Sequence, residues 1–500
     1  MNTQLPLNLN DIPQSVVEVD GATLGLVTTD GGPRLAVLAT DPAILSAFEG
    51  DTSAHDGQTL LLGPLNAHNA AALRAALPWL RPQPLGLRTS AGMGDRLGLA
   101  TPGHVRAVRA TGSVVAPIFA QQSIREMTRT GRTPQDVMDD ATWGVFGEGW
   151  RGDVGADADH LKTPADIDAC LAAGFSFFTI DPGEHVESDA ETMSGEELLA
   201  AAEDLPWDQL EDNLTALARR YLNQAFEVEG YTLRFSTRSL LEAAVKYGRA
   251  IAHVARMYRH LADTAGDRPF ELEVSVDETD TPTTHAQHLY IARELRRLRV
   301  RWVSLAPRYI GRFEKGVDYI GDLAAFESDF AVHAAIARVY GPYKLSLHSG
   351  SDKFSVYPIA ARQTRGVVHL KTAGTSYLEA LRTIAPLDAA LFREIYAFAR
   401  ERYPIDRASY HVSAEVGRAP RPEDVADSDL ASLLEDFDAR EILHVTFGSV
   451  LTTRRADGGF LFYDRLMALL RGHPDAYAAN LETHFARHLR PFAEVAGRTE

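Results

Sequence analysis

The chain contains one cysteine, Cys170, among its 500 residues. A lone thiol forms no internal disulfide, and it excludes a thiolate cluster around a metal. No apolar run approaches the roughly 20 residues of a membrane-spanning helix. The first residues lack the basic start and apolar core of a secretory signal. We therefore expect a cytoplasmic protein without a membrane partner.

Basic side chains are also fewer than acidic ones. The chain carries 68 acidic and 50 basic side chains, a formal net charge of −18. Such a surface repels nucleic-acid phosphates, and no basic stripe offsets it, so no nucleic-acid partner is predicted. A small acidic substrate would need a local cluster of Arg or Lys. A homo-oligomer is expected, of a size that the sequence leaves open.

The first ninety residues (1–90) are predicted to form a small β-rich domain. Alternating segments such as 23–28 and 35–38 are separated by Asp-Gly and Gly-Gly turns. One helix is predicted near 67–80, and Pro82 and Pro84 follow it. These prolines mark the expected domain boundary.

From about residue 95, short apolar strands alternate with amphipathic helices. Eight such units predict an α/β fold, a (β/α)₈ TIM barrel, rather than an open doubly wound sheet. The barrel is predicted to cover 91–385, with an acidic helical insertion at about 184–230, and 386–500 to form a mainly helical C-terminal extension. The predicted strands are 96–100, 114–120, 155–159, 176–181, 270–276, 300–305, 343–347 and 366–370.

Polar residues follow nearly every predicted strand. Active sites of TIM barrels gather at the carboxyl ends of the strands, so we expect these side chains to share one rim. The loop 349–353 also offers backbone N–H groups for a carboxylate or phosphate. The predicted substrate-binding residues are His104, Gln122, Lys162, Arg308, Lys353 and Lys371.

Three histidines, His160, His348 and His369, lie at the ends of predicted strands three, seven and eight. Neutral imidazole is a usual ligand of Zn, Fe, Mn, Co and Ni. Three protein ligands leave positions open for substrate oxygens. We therefore predict one divalent metal ion, whose identity stays open, with His104 as a substitute ligand. The alternative for each histidine is a structural hydrogen-bonding role.

Two carboxylates are the candidates for acid/base chemistry. Alternation in the strand 270–276 turns its apolar residues toward the helices and Glu273 into the barrel. A charge there is unfavourable unless it is paired or metal-bound, so Glu273 is predicted to be an acid/base residue or a ligand, with an internal ion pair as the alternative. Asp159 precedes His160 and is the second candidate.

Seven long motifs are spread over most of the chain, among them GDRLGLATPGH at 94–104 and GADADHLKT at 155–163. The others occupy 175–182, 273–284, 305–308, 347–354 and 369–372. Together they resemble the bacterial tagaturonate/fructuronate epimerases, also called hexuronate C4-epimerases. The resemblance implies a divalent-metal enzyme that interconverts D-tagaturonate and D-fructuronate in uronate catabolism, with relatives that act on tagatose and fructose. It implies Asp159 and Glu273 as the acid/base pair and His160 and His348 as metal ligands, whereas His369 rests on its strand-end position.

The chemistry of these ketoses restricts the mechanism. The inverted carbon lies β to the ketone, so enolisation alone cannot invert it. Retro-aldol cleavage of the adjacent bond, rotation of the aldehyde fragment and re-addition would do so, with a metal stabilising the enediolate. One carboxylate would remove the hydroxyl proton and the other would restore it. Transient direct deprotonation of the inverted carbon is the alternative route.

Two other functions use the same sequence features. A metal-dependent aldolase or ketose–aldose isomerase acting on a sugar acid would release fragments or an aldose. A non-catalytic sugar-acid-binding or regulatory protein on a barrel scaffold would show no turnover. The set Asp159, His160, Glu273 and His348 favours an enzyme over a silent barrel. The sequence leaves the choice between uronates and neutral ketoses open.

Overall fold

A computed structural model of the chain describes residues 12–348, 352–372 and 374–496. Eight parallel strands close into a barrel in the order β6-β7-β8-β9-β12-β13-β14-β15, and β15 pairs with β6. The strands are β1 (Val17–Val19), β2 (Ala22–Thr29), β3 (Gly32–Ala39), β4 (Asp51–His55), β5 (Gln58–Gly63), β6 (Ser90–Gly92), β7 (Ala116–Ser123), β8 (Gly155–Leu161), β9 (Phe177–Ile180), β10 (Phe226–Val228), β11 (Tyr231–Leu233), β12 (Glu271–Ser275), β13 (Ser304–Ala306), β14 (Lys344–Leu347) and β15 (Val368–Lys371).

Helices surround the barrel and cover one of its ends. They are α1 (Pro42–Leu45), α2 (Ala67–Ala76), α3 (Thr101–Ala110), α4 (Ile124–Thr130), α5 (Pro134–Gly147), α6 (Pro164–Ala173), α7 (Gly195–Glu203), α8 (Leu214–Tyr221), α9 (Thr237–Ala265), α10 (His285–Arg297), α11 (Leu323–Val339), α12 (Tyr357–Thr364), α13 (Thr375–Leu387), α14 (Ala389–Asp406), α15 (Phe437–Val445), α16 (Phe447–Thr452), α17 (Tyr463–Gly472) and α18 (Pro474–Ala496). Within the part of the chain that the structure describes, no helix is long and apolar enough to span a bilayer.

The predicted (β/α)₈ barrel is confirmed, but the position of its first strand was wrong. The first strand is β6, and the predicted strand 96–100 is a loop. The Asp95 carboxylate accepts backbone N–H groups from Leu97, Gly98 and Ala100 at 2.9, 2.9 and 2.6 Å. A side chain that binds the following backbone in this way competes with a strand ladder. Gly98 also has a φ of 76°, which an extended strand does not use.

The first part of the chain forms a five-stranded antiparallel sheet in the order β1-β2-β3-β5-β4. Alternation along β3 explains its two apolar faces. Leu35 and Val37 belong to the main core, whereas Ala36 and Leu38 pack in a small cluster with Leu60. The strand-rich N-terminal part is thus confirmed, while the domain boundary near residue 90 stays a prediction that falls at the start of β6.

The chain departs from simple alternation in two places. Between β9 and β12 it forms α7, α8 and the hairpin β10–β11, which fall in or next to the predicted insertion at about 184–230, and then the long helix α9. After β15 the chain forms α13, and the range predicted as a helical extension, 386–500, contains α14 to α18. Helix α18 packs closely along α3, where a Cβ at Gly103 would clash with Leu481. The C-terminal extension is therefore fixed against the barrel.

Candidate active site

The carboxyl ends of β8, β12, β14 and β15 bring together the charged residues at the barrel mouth. Asp159 and His160 lie on β8, His348 follows β14, and Lys371 ends β15. These four residues line a cavity, called here the mouth cavity. Its lining consists of Arg96, Ser123, Arg125, Glu126, Asp159, His160, Lys315, His348, Lys371, Tyr410 and His444.

His160 and His348 are each paired with carboxylates. His160 Nδ1 lies 2.6 Å from Asp159 Oδ1. His348 Nε2 lies 2.7 Å from Glu273 Oε1, and its Nδ1 lies 3.2 Å from Asp277 Oδ1. Burial lowers the pKa of both imidazoles, but the carboxylates outweigh burial and raise the pKa of His160 to about 10 and of His348 to about 9.

Lys371 holds the two predicted acid/base residues together. Its Nζ lies 2.6 Å from Asp159 Oδ1 and 2.9 Å from Glu273 Oε1. It also lies 3.1 Å from Asp157 Oδ2 and 2.5 Å from Thr179 Oγ1. Burial raises the pKa of Asp159 and Glu273, yet the neighbouring cations outweigh it and hold both pKa values well below the usual range. Both carboxylates are therefore ionised at neutral pH.

The donor set at the mouth fits a divalent cation. Asp159, His160 and His348 offer ligand atoms that all lie within 4.8 Å of one another. A second, overlapping group joins His160 to Asp181 and Glu278. His160 Nε2 is buried without a hydrogen-bond partner in 12–348, 352–372 and 374–496, as is Oε2 of Glu273. Nitrogen and carboxylate oxygen ligands of this kind suit Zn, Mn, Fe, Co or Ni.

His160 adopts a strained backbone conformation. Its φ is 53°, in the left-handed region that favours glycine. The register between β8 and β9 shifts between Ala158 and Leu161, so the strand bends at this residue. Strain of this kind is tolerated where the surrounding structure fixes it, which occurs most often at functional sites. The bend turns the imidazole into the mouth cavity.

Two of the predicted histidines, His369 and His104, do not line the mouth cavity. His369 lies inside the barrel, where its Nδ1 is 2.9 Å from Ser90 Oγ and its ring packs against Phe177. His104 lies in α3, where its Nε2 is 3.0 Å from Ser376 Oγ and its ring packs on Phe485. Both are fully buried. The structure therefore assigns them to packing layers below and beside the mouth.

The glutamine that reaches the mouth is Gln121, whereas Gln122 was predicted. Gln121 Nε2 donates to Asp159 Oδ2 at 3.1 Å. Gln122 points away and accepts a hydrogen bond from Arg132 at 3.1 Å. A register shift between Ile118 and Ala120 in the β7–β8 pairing changes the phase of the strand, so alternation in the sequence does not show which amide faces inward.

The predicted cations fall into different environments. Lys371 lines the mouth cavity, and Arg308 lines an adjoining cavity beside Asp277. Lys162 is about half exposed and pairs with Glu184 at 2.7 Å. Lys353 Nζ donates to the carbonyl oxygen of Glu314 at 2.7 Å. Residues 349–351, most of the loop predicted to hold a carboxylate or phosphate, lie outside the described residues.

The mouth cavity contains cations that sequence reasoning missed. Arg125 is the second residue after β7, in α4, and Lys315 lies between β13 and α11. Both pair with Glu278, at 2.9 and 3.5 Å. Tyr410 and His444 reach the cavity from the C-terminal extension. The position of Arg125 two residues beyond a strand end was a usable signal, whereas nothing local points from residues 410 and 444 to the mouth.

Comparison with known proteins identifies the family. The family described as tagaturonate epimerase matches residues 12–492. The tagaturonate/fructuronate epimerase of Thermotoga maritima is 43% identical over 477 residues, which cover 95% of each chain. The native crystal structure of the fructuronate-tagaturonate epimerase from Cohnella laeviribosi superposes with a TM-score of 0.90 at 37% identity, over 97% of this chain and 96% of that chain. A glycerol complex of the same enzyme matches equally well.

These matches extend from the N-terminal sheet through the barrel to α18, so they include every element that builds the mouth cavity. The prediction of an enzyme of the epimerase type is confirmed with them. The chain belongs to the tagaturonate epimerase family.

Proposed function

We propose that this protein is a divalent-metal-dependent epimerase that interconverts D-tagaturonate and D-fructuronate. The observation that carries the proposal is the contact of one lysine, Lys371, with both Asp159 and Glu273 beside two histidines that face carboxylates. Family membership supplies the substrate class. The cations of the mouth cavity then account for the binding of an anion by a strongly acidic chain.

The metal would be held by Asp159, His160 and His348. When bound, a divalent cation supplies Lewis acidity toward the oxygens of a ketose acid. The chain's own residues keep these ligands in place, since Gln121 donates to Asp159 and Glu273 contacts His348. Hydrogen bonds of this kind, made to the metal-ligating side chains by their neighbours, fix the orientation of those side chains.

Asp159 and Lys371 line the mouth cavity, whereas Glu273 lies beneath it, fully buried. In a retro-aldol route, the oxygen of ionised Asp159 that does not hold the metal takes the proton of the hydroxyl on the inverting carbon. The adjacent carbon–carbon bond breaks, its electron pair stays with the ketone fragment, and the other fragment becomes an aldehyde. After the aldehyde turns, the bond reforms on its other face. The proton passes from Asp159 through the Lys371 ammonium to Glu273. It returns through Lys371 and Asp159 to the oxygen of the new hydroxyl.

Arg125 and Lys315 are proposed to bind the substrate carboxylate. Both line the mouth cavity and both already contact one carboxylate, Glu278. The ion pair with Glu278 outweighs burial and raises the pKa of Arg125, which keeps its charge. A guanidinium binds a carboxylate with two parallel hydrogen bonds, so Arg125 is the stronger candidate.

The deciding experiment starts from metal-depleted enzyme that is reloaded with Mn, Zn, Ni, Fe or Co. Each form receives tagaturonate or tagatose, and NMR identifies the product. Inversion at one carbon that returns with metal supports the proposal. Net fragments or an aldose would indicate a metal-dependent aldolase or isomerase instead, and full activity without metal would remove the metal from the mechanism.

The carboxylate-binding role has its own test. Arg125→Gln should lower kcat/KM for tagaturonate by about 10- to 100-fold, since a charge-assisted pair contributes roughly 1.5–3 kcal/mol. Turnover of tagatose should change much less, because tagatose has no carboxylate. Arg88→Gln is the matched control, since Arg88 pairs with Asp153 on the surface. Equal losses on both substrates would contradict this role.

The retro-aldol route predicts slow release of three-carbon fragments and no solvent deuterium at the inverted carbon. Deuterium at that carbon without fragments, at any metal loading, would establish direct deprotonation instead. We further propose a homo-oligomer that works in the cytoplasm. Light scattering of the purified protein measures the oligomeric state.

A further inference from the structure

A second cluster of ligand side chains lies outside the barrel, between helices α10 and α11. His285 is the first residue of α10, and Asp329 and His333 are one turn apart on α11. His285 Nε2 lies 2.9 Å from Asp329 Oδ1, and His333 Nε2 lies 3.6 Å from Asp329 Oδ2. Their three ligand atoms lie within 4.8 Å of one another. The cluster shares no residue with the mouth cavity.

Two atoms of this cluster have no partner that accounts for their burial. His333 Nε2 and Asp329 Oδ2 are both buried without a hydrogen bond in the described part of the chain. The His333 side chain is 0% exposed. These two buried atoms face each other at 3.6 Å, beyond hydrogen-bond distance, so neither has the hydrogen bond that burial normally requires. A cation between them would satisfy both.

The other side of His333 is arranged as in a metal ligand. His333 Nδ1 lies 2.8 Å from His288 Nδ1, and His288 Nε2 lies 2.7 Å from Tyr343 OH. If His333 Nδ1–H donates to His288, then His288 Nε2–H donates to Tyr343 and the lone pair of His333 Nε2 points at Asp329. Ligating histidines typically donate their other N–H in this way, which fixes the tautomer.

We propose that His285, Asp329 and His333 form a second divalent transition-metal site that joins α10 to α11. Two imidazoles and one carboxylate suit Zn²⁺ or Co²⁺ and leave a fourth position. The carbonyl oxygen of Asp329, 3.2 Å from His285 Nε2, is one further oxygen at the site. The side chains of His285 and Asp329 are 30% and 18% exposed, so a metal can enter from solvent.

Geometry also separates this cluster from the third group of potential ligands, Asp352, His484 and His488. There the Asp352 carboxylate already contacts the Arg440 guanidinium and both histidines. A guanidinium beside the carboxylate opposes a second cation. Among the described residues, the ion pairs of Asp329 are to His285 and His333, and no guanidinium competes with a cation there.

The test counts metal ions. Chelator-treated wild-type protein, His285→Asn and Asp329→Asn are titrated with Co²⁺ and Zn²⁺, dialysed, and measured by elemental analysis and visible absorption. Wild type should bind one ion per chain more than either variant, and the difference spectrum should be that of tetrahedral Co²⁺. Loss of one of three ligands should weaken this site more than about 100-fold, beyond the effect of an outer contact.

His260→Gln is the matched control, because His260 also pairs with one aspartate, Asp168, on the surface. It should keep the full count. His348→Ala should lose the mouth ion and keep the second one, so failure of either metal site is seen separately. Zn²⁺ at about 100 times its Kd should raise the Tm of wild type by about 2–3 °C, and that of His285→Asn by less. Equal counts in wild type and both ligand variants would overturn the proposal.

Discussion

Two buried histidines, His348 at the barrel mouth and His104 between α3 and α18, show how environment decides the chemistry of one residue type. Both were predicted to face the substrate or metal. His348 lies between the carboxylates of Glu273 and Asp277, which outweigh burial and raise its pKa to about 9. His104 lies on Phe485, where burial and the nearby His484 lower its pKa to about 3. The carboxylates, not the position beside a strand end, make the difference.

The two environments affect folding stability in opposite pH ranges. The raised pKa of His348 gives stability to the metal-free protein that is complete below pH 6.5 and is lost as the pH rises through about 9. The lowered pKa of His104 gives stability that is present above pH 6.5 and is lost as the pH falls toward about 3. The stability contributed by His348 is therefore lost at high pH, and that contributed by His104 is lost at low pH.

The largest expected effect concerns the carboxylates that distinguish the mouth. Glu273→Gln should lower kcat by about 10³-fold, within the range of 10²–10⁴ for an acid/base group. Glu271→Gln is the control on the same inward face of β12, because Glu271 accepts backbone N–H groups from Leu85 and Gly86 at the other end of the barrel. Steady-state kinetics on both variants measures this. Equal activity of the two would leave Glu273 as an ion-pair partner only.

Removal of the central cation comes next. Lys371→Met leaves three carboxylates buried without their partner and should lower the free energy of unfolding by about 3–5 kcal/mol. Lys344 is the contrasting buried lysine: its Nζ donates to Ser90 Oγ at 2.9 Å, and burial lowers its pKa to about 8. Lys344→Met should lower the free energy of unfolding only slightly, or raise it.

Urea unfolding of the two lysine variants at pH 7 supplies the comparison. A similar loss in both would mean that the ion pairs of Lys371 contribute no more than its packing. Metal-depleted protein is used throughout, so that metal release does not add to the measured difference.

His104 gives a smaller effect in acid. A pKa of about 3 implies that wild type loses about 2 kcal/mol of stability between pH 6.5 and pH 5, at 1.36 kcal/mol per pH unit. His104→Gln, which keeps a donor toward Ser376, should flatten this part of the stability curve. Urea unfolding at several pH values measures the slope. An unchanged slope in the variant would show that other groups cause the acid sensitivity.

Much of the fold and of the mouth could be predicted from local sequence. Alternation of strands and helices indicated the barrel, and strand-end positions placed Asp159, His160 and His348 on one rim. Glu273 was predicted from the phase of β12, which has a regular register. Gln121 was missed because the β7–β8 pairing changes register, and alternation then no longer indicates the face.

The other differences between the predicted and the observed site arise from contacts between distant parts of the chain. His104 is buried by α18, and Lys353 is held by the carbonyl oxygen of Glu314, contacts that no local pattern indicates. Tyr410 and His444 enter the mouth cavity because the C-terminal extension folds over it. The first strand was misplaced because Ser90–Gly92 has neither length nor branched apolar residues.

The smallest effect is expected at Lys162, which tests whether a cation at a strand end acts through position alone. Lys162 is about half exposed, and its partner Glu184 is more exposed still. Such pairs contribute about 0–1 kcal/mol, so Lys162→Met should change the free energy of unfolding by less than about 1 kcal/mol and KM for tagaturonate by less than about twofold. Arg125→Gln, measured in parallel, should raise KM or lower kcat/KM far more. A large effect at Lys162 with none at Arg125 would move the proposed carboxylate site from the β7 side of the mouth to the β8–β9 side, where Asp181 lies 4.0 Å from Lys162 Nζ.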